Sequence, residues 1–173
     1  MKAFILAGGL GTRLRGVLPD LPKPMAPIAE KPFLEYLLAQ LRHYGIVDII
    51  LSTGHLATII QDHFGDGEDL GLHIEYSYED SPRGTGGAIK LAEPLLNGDE
   101  FLVMNGDSVL EADLGALIDF HHDQEALATM ALTTVSDPAR YGSVTLGDDH
   151  RIEGFVEKGE GPSTGLINSG IYI

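Results

Sequence analysis

The sequence contains no cysteine, which excludes a disulfide framework, a thiolate metal site and catalysis by a nucleophilic thiol. Basic residues are scarce: 11 Lys and Arg stand against 26 Asp and Glu, a formal net charge of -15. Binding to a nucleic-acid backbone needs a broad basic face, so DNA and RNA are not expected partners. No apolar run approaches the about 20 residues that a membrane span requires. The N-terminus also lacks a basic region followed by a long apolar stretch, and the expected location is the cytoplasm, with no membrane partner. Gly-Lys-Ser and Gly-Lys-Thr are absent, which rules out a P-loop, and there is no Gly-x-Ser-x-Gly nucleophile elbow. Internal repeats, low-complexity tracts and hexapeptide arrays are missing as well. At 173 residues the chain suits one domain with a sizeable core, and residues 1–173 are expected to form it.

The most informative segment that is present is Leu6-Ala7-Gly8-Gly9-Leu10-Gly11-Thr12-Arg13-Leu14, followed by Pro22-Lys23-Pro24-Met25. Residues 2–7 form a short apolar run suited to a buried parallel strand, and three glycines then arrive within four positions. Glycine allows positive φ and close approach of the backbone, so successive N–H groups can point at phosphate oxygens. Thr12 adds a hydroxyl. Arg13 supplies a planar guanidinium fork and Lys23 a mobile point charge, two kinds of charge-assisted donor. A dinucleotide fingerprint would need a third glycine where Leu14 stands, which weakens that reading. Charge distribution fits a phosphate site: residues 1–31 hold five basic residues against two acidic ones, a local balance of +3, and the remainder carries -18. Such a site favours a small polyanion held by specific donors.

Further along, apolar positions at 33/34, 37/38 and 41 predict a helix that begins near Pro32 and stops at Gly45. Asp48 to Thr53 and Leu72 to Tyr76 predict strands, His55 to Phe64 a helix, and Gly87 to Leu91 the start of another. Phe101-Leu102-Val103-Met104 has the compact apolar character of a central strand. Alternation of this kind implies a parallel sheet with helices on both faces. The last third differs. Thr129 to Val135, Ser143 to Leu146, Ile152 to Glu157 and Leu166 to Ile173 are short strand-like segments separated by turn residues, and they predict an antiparallel part.

Asp107 follows the strand ending at Met104 and the turn Asn105-Gly106. That places a carboxylate at a strand's carboxyl end, where open α/β sheets bind ligands. A hard carboxylate oxygen suits Mg²⁺, which keeps most of its waters and bridges to phosphates. The competing local reading is that this aspartate caps the next helix. Gly84-Thr85-Gly86-Gly87 is a second glycine-rich stretch, expected to form a turn.

Gly8-Gly9-Leu10-Gly11-Thr12-Arg13-Leu14 with Pro22-Lys23-Pro24-Met25 resembles the signature of sugar-1-phosphate nucleotidyltransferases. The similarity extends through Gly84-Thr85-Gly86-Gly87-Ala88, Asn105-Gly106-Asp107, Arg140-Tyr141-Gly142, Glu157-Lys158 and Gly165-Leu166-Ile167-Asn168-Ser169-Gly170-Ile171-Tyr172, all in the family's order. Lys23-Pro24-Met25-Ala26-Pro27-Ile28 with Lys31-Pro32-Phe33-Leu34-Glu35 and the Arg-Tyr-Gly triplet most resemble the D-glycero-D-manno-heptose 1-phosphate guanylyltransferase subfamily. The resemblance implies a Rossmann-like nucleotide-diphospho-sugar transferase fold, α/β, with a mostly parallel central sheet flanked by helices and a smaller antiparallel sugar-binding part. It implies transfer of a nucleotidyl group, GMP from GTP, to a sugar 1-phosphate.

In that frame Arg13, Lys23 and Asp107 are the catalytic candidates, and Asp107 carries Mg²⁺. Leu6, Ala7, Gly8, Gly9, Gly11, Thr12, Arg13, Glu79, Gly84, Thr85, Gly87 and Asn105 are expected to hold the nucleotide. Tyr78-Glu79 and the second glycine stretch face the base, and Gly87 leaves room for the ring. Lys23, Tyr141, Gly142, Glu157, Lys158 and Asn168 are expected around the sugar phosphate. Gly159 departs from the proline common in the family. The chain stops at Ile173 inside an expected strand, whereas the family continues through a helix, a strand and a second metal-binding aspartate; a fragment of a longer enzyme is therefore expected, and a homodimer is allowed.

The seven histidines, His43, His55, His63, His73, His121, His122 and His150, fall in no convincing constellation and are expected in solvent. His121 and His122 lie near Asp119 and Asp123, but adjacent helical positions face different sides. Other readings stay open at this level: a mannose, glucose or N-acetylmuramate 1-phosphate enzyme, a sugar-nucleotide binding module without turnover, and an oxidoreductase.

Overall fold

The computed structural model describes residues 1–9, 11, 16, 18–98, 100–138, 141–156 and 165–173. They group into two compact units, Met1–Val109 with Ile173, and Leu110–Tyr172. No helix among the described residues is long and apolar enough to cross a membrane.

The first unit begins with β1 (Lys2–Leu6), whose Ala3, Phe4 and Ile5 are fully buried. A small hairpin of β2 (Pro27–Ile28) and β3 (Lys31–Pro32) leads into α1 (Phe33–His43). Leu34, Leu37, Leu38 and Leu41 of α1 are buried, the i, i+3, i+4, i+7 stripe that an amphipathic helix lays on a sheet. Gly45, at φ 73, follows the helix, and its N–H bonds the Arg42 carbonyl, the left-handed glycine stop expected from sequence. Next come β4 (Asp48–Thr53), α2 (Ala57–Phe64), β5 (His73–Tyr78), α3 (Gly84–Leu91), α4 (Glu93–Leu96) and β6 (Phe101–Asn105).

The sheet runs β5-β4-β1-β6 with every pair parallel. Ile49, Ile50, Leu51, Leu102, Val103 and Met104 are buried, as the nearly continuous apolar character of a parallel sheet covered on both faces requires. The chain grows from β1 through β4 to β5, then crosses back to place β6 on the other side of β1. The order therefore reverses at the carboxyl ends of β1 and β6, the position at which open α/β sheets form their ligand crevice. At the outer strand, the Tyr76 hydroxyl donates to the Gly65 carbonyl at 2.7 Å. Burial, then the Asp66 charge, push its pKa up to about 12, so it remains a neutral donor.

In the first unit the boundaries differ most from the sequence expectations at three places. α2 starts at Ala57 rather than His55 because Leu56 takes a left-handed conformation at φ 59. β5 starts one residue later and extends to Tyr78, paired to Thr53 at the end of β4. The stretch Gly84-Thr85-Gly86-Gly87, expected as a turn, is the first turn of α3.

The second unit contains α5 (Leu114–Asp123), β7 (Met130–Val135), β8 (Ser143–Leu146), β9 (Ile152–Val156) and β10 (Gly165–Tyr172). Its strands pair antiparallel in the order β7-β10-β8-β9. Asp113 caps α5, its Oδ1 accepting from the Ala116 N–H at 3.0 Å. One histidine departs from the expected solvated placement: His121 is buried, with Nδ1 at 2.8 Å from the Thr129 hydroxyl, because it lies on the inner side of α5 while His122 is exposed.

Candidate active site

Four strand ends build the site in the first unit. The pairings Leu6 with Ser52, Leu6 with Asn105 and Thr53 with Tyr78 bring those residues to one edge. Beyond β1 the ladder continues by one bond, from the Ala7 N–H to the Ser52 carbonyl at 2.8 Å. Gly8 brings the backbone close to Glu79: a Cβ there would stand 2.8 Å from Glu79 Oε1 and 3.4 Å from the Thr53 carbonyl carbon, so a side chain would displace the Glu79 carboxylate. Gly9 has open space around it. Gly11 takes φ 56, and a Cβ on it would come within 3.2 Å of Lys23 Cβ. The first glycine loop thus connects Glu79 at one end with Lys23 at the other.

Lys23–Met25 form one 3-10 turn, closed by the Met25 N–H on the Pro22 carbonyl at 2.8 Å. Pro24 and Met25 are buried, so the turn is pinned by its apolar residues and Lys23 projects from it. Lys23 Nζ donates to Asp107 Oδ2 at 2.6 Å, and the Ser108 hydroxyl donates to Asp107 Oδ1 at 3.2 Å. The two ionic side chains are 37% and 42% exposed. A pair so open to water contributes about 0–1 kcal/mol to stability, and substrate charges can replace it at little cost.

Asp107 is brought there by Gly106. The Gly106 N–H bonds the Leu6 carbonyl at 3.0 Å, and a Cβ would lie only 2.7 Å from that same oxygen. The backbone after β6 therefore hugs the end of β1 and releases the next residue into the crevice. Asp107 does not cap the following helix, since Asp113 does. Gly106→Ala is expected to lower stability by about 1–3 kcal/mol, the range for a forced backbone shift, visible as a fall in Tm.

Glu79 lies half-buried just past β5. Its N–H bonds the Thr53 carbonyl at 2.8 Å. Its Oε1 accepts from the Ser52 hydroxyl at 2.8 Å and its Oε2 from the Arg83 N–H at 3.1 Å. Tyr78, Gly84 and Thr85 are exposed beside it. At Gly87 a Cβ would meet Arg83 Cβ at 2.6 Å, so the missing side chain accommodates Arg83.

Among the described residues, no three His, Asp or Glu side chains form a metal-binding group. Asp107 offers a single carboxylate, which fits Mg²⁺, an ion commonly held by one or two carboxylates with water and substrate phosphates.

In the second unit, Tyr141 is exposed and Gly142 takes φ 83, both N–H groups bonding the Pro138 carbonyl at 2.9 Å. Asn168 donates from Nδ2 to the Tyr172 hydroxyl at 2.7 Å and accepts at Oδ1 from the Gly170 N–H at 2.8 Å. Thr12, Arg13, Arg140, Glu157, Lys158 and Gly159 lie outside the described residues. Sequence reasoning missed Ser52, Ser108 and Arg83. The available signal for Ser52 was a hydroxyl at the carboxyl end of an otherwise apolar strand.

Residues 2–173 match the family model described as nucleotidyl transferase. The chain belongs to this family. It is 44% identical over 173 residues to D-glycero-alpha-D-manno-heptose 1-phosphate guanylyltransferase of Aneurinibacillus thermoaerophilus, covering 100% of this chain and 74% of that one. It is 43% identical over 173 residues to mannose-1-phosphate guanylyltransferase of Mycobacterium tuberculosis, covering 100% of this chain but only 48% of that protein. This nucleotidyl transferase family member therefore spans about half the length of one relative and about three-quarters of the other. The crystal structure of HddC from Yersinia pseudotuberculosis complexed with GMP-PN superposes with a TM-score of 0.86 at 40% identity, covering 99% of this chain and 75% of that one. The Rossmann-like fold of the nucleotidyltransferases, read from the order of motifs, is the fold observed.

Proposed function

We propose that this chain transfers GMP from GTP to D-glycero-α-D-manno-heptose 1-phosphate, giving the GDP-sugar and pyrophosphate, and that residues 1–173 act as one nucleotidyltransferase domain. The observation that carries this reading is the Lys23–Asp107 pair at 2.6 Å beside the glycine loop, where the strand order reverses. A cation for an attacking phosphate and a carboxylate for a metal meet there, next to N–H groups suited to a triphosphate.

A phosphate oxygen of the sugar 1-phosphate attacks the α-phosphorus. The new P–O bond forms as the bond to the bridging oxygen breaks, and pyrophosphate leaves with the electron pair. No covalent intermediate on the protein is required. Both substrates are polyanions, so the protein's work is to offset their repulsion and to align nucleophile and leaving group. Gly8, Gly9 and Gly11, with Leu6, Ala7 and Asn105 behind them, position the triphosphate. Thr12 and Arg13 add donors on the leaving side. Lys23 holds the attacking phosphate. Asp107 would hold Mg²⁺, which would offset charge on the phosphates. Glu79, Gly84 and Thr85 face the base, with Gly87 supporting them through Arg83. The family resemblance assigns Tyr141, Gly142, Glu157, Lys158 and Asn168 to the sugar phosphate. The reaction belongs in the cytoplasm, where GTP is available.

Lys23→Met is expected to raise the KM for the sugar 1-phosphate about ten- to a hundredfold, the loss of one charged hydrogen bond at about 1.5–3 kcal/mol, with a much smaller change in the KM for GTP. A change confined to GTP would reassign Lys23 to the nucleotide.

Transfer to mannose 1-phosphate is the second reading, favoured by the 43% identity to the mycobacterial enzyme. Mg²⁺-dependent pyrophosphate release with GTP, comparing the heptose and mannose 1-phosphates and using UTP, dTTP and CTP as controls, separates the two. Release with GTP and the heptose is expected. Release with mannose 1-phosphate alone overturns the sugar assignment, and silence across the panel overturns the activity.

A further inference from the structure

Ser52 is fully buried at the carboxyl end of β4, and its hydroxyl donates to the Glu79 carboxylate, which lies against Gly8. Two hydrogen bonds hold that carboxylate, and it lies close against Gly8. Ser52 Oγ donates to Glu79 Oε1 at 2.8 Å, the Arg83 N–H donates to Oε2 at 3.1 Å, and a Cβ on Gly8 would come within 2.8 Å of Oε1. The Glu79 backbone is tied in turn to Thr53, the neighbour of Ser52. A glutamate needed only for packing would not require both oxygens to be oriented by donors from two different elements.

We propose that Ser52 is a positioning residue that fixes the Glu79 carboxylate so that its free lone pairs select the guanine edge of the nucleotide. This inference rests on the assignment of Glu79 to the base. An ionised carboxylate accepts about four hydrogen bonds and donates none. Ser52 and Arg83 use one site on each oxygen, and one on each remains. Guanine presents adjacent donors, N1–H and the 2-amino group, that match two such acceptors side by side. Uracil and thymine offer a single N–H flanked by carbonyl oxygens, which the carboxylate repels. Unpaired or repelled polar groups of this kind discriminate more strongly than apolar contacts do. Selection by two parallel bonds depends on the plane of the carboxylate, and the hydrogen bond from a buried hydroxyl to a charged oxygen is what holds that plane.

The test compares GTP with ITP, which keeps N1–H and lacks the 2-amino group, as donors for the wild-type chain and the Ser52→Ala, Ser52→Thr and Glu79→Gln variants. The wild type is expected to prefer GTP. In Ser52→Ala the KM for GTP is expected to rise about tenfold, the scale of one charge-assisted bond, with kcat at saturating GTP and the KM for sugar 1-phosphate retained. The ratio of kcat/KM for GTP over ITP is expected to fall at least severalfold, and Ser52→Thr, which keeps the hydroxyl, to restore it. Equal shifts for GTP and ITP in Ser52→Ala, or none, overturn the role of Ser52 while Glu79→Gln still lowers the ratio. An unchanged ratio in Glu79→Gln removes Glu79 from the base site, and the inference falls with it.

Discussion

Replacing Asp107 with alanine is expected to lower kcat for GDP-sugar formation by about a hundredfold or more, the scale measured when one strong contribution to transition-state charge stabilisation is lost. The size follows from position. Asp107 stands at the sheet's reversal point, released into the crevice by a glycine that cannot be replaced without displacing the Leu6 carbonyl. Its carboxylate is the partner of Lys23 at 2.6 Å, so its loss removes the proposed metal ligand and also leaves Lys23 free to pair with any nearby phosphate. Asp107→Asn keeps the shape and removes the charge, and should fall almost as far. Because the two residues share one contact, the Lys23→Met and Asp107→Ala effects should not add: their coupling in a double-mutant cycle is expected to exceed the about 0.5 kcal/mol that independent sites show. Turnover near wild type in Asp107→Ala would remove this residue from the chemistry.

The second large effect is expected at Arg13. Arg13→Ala should also lower kcat by about a hundredfold or more, because a guanidinium in the proposed role on the leaving pyrophosphate gains most as negative charge develops there. Gly11, two positions earlier in the sequence, abuts Lys23, the cation proposed for the attacking phosphate. Arg13→Lys separates charge from geometry. A lysine supplies the charge without the planar two-donor fork, and should recover only part of the loss. Full recovery would mean that charge alone matters; no loss in Arg13→Ala would place the residue outside the transition state.

Local signals carried much of this structure. The stripe Leu34, Leu37, Leu38 and Leu41, the stop at Gly45 and the apolar runs of β1, β4 and β6 follow directly from period and punctuation, and the glycines at 8 and 11 are explained by close approach and positive φ, as their spacing suggested. What could not be read was set by distant pairing. Lys23 and Asp107 are 84 residues apart, and Ser52 and Glu79 are 27 apart; each pair meets only because parallel registers align the strand ends. The first turn of α3 was hidden by its glycines, each of which costs a helix about 1 kcal/mol relative to alanine; the helix forms with its own Ala88 buried and Arg83 filling the space at Gly87. The burial of His121 depended on which side of α5 faces its own unit, and the sequence around it, with Asp119 and Asp123 nearby, suggested water instead.

The most direct test of guanylyl transfer by a single displacement is exchange of labelled pyrophosphate into GTP, measured with and without D-glycero-α-D-manno-heptose 1-phosphate in the presence of Mg²⁺. Exchange is expected only when the sugar 1-phosphate is present, since the reverse reaction needs the GDP-sugar formed from it. Exchange without the sugar would reveal a covalent nucleotidyl-protein intermediate, and no exchange under either condition would show that the chain does not carry out this chemistry.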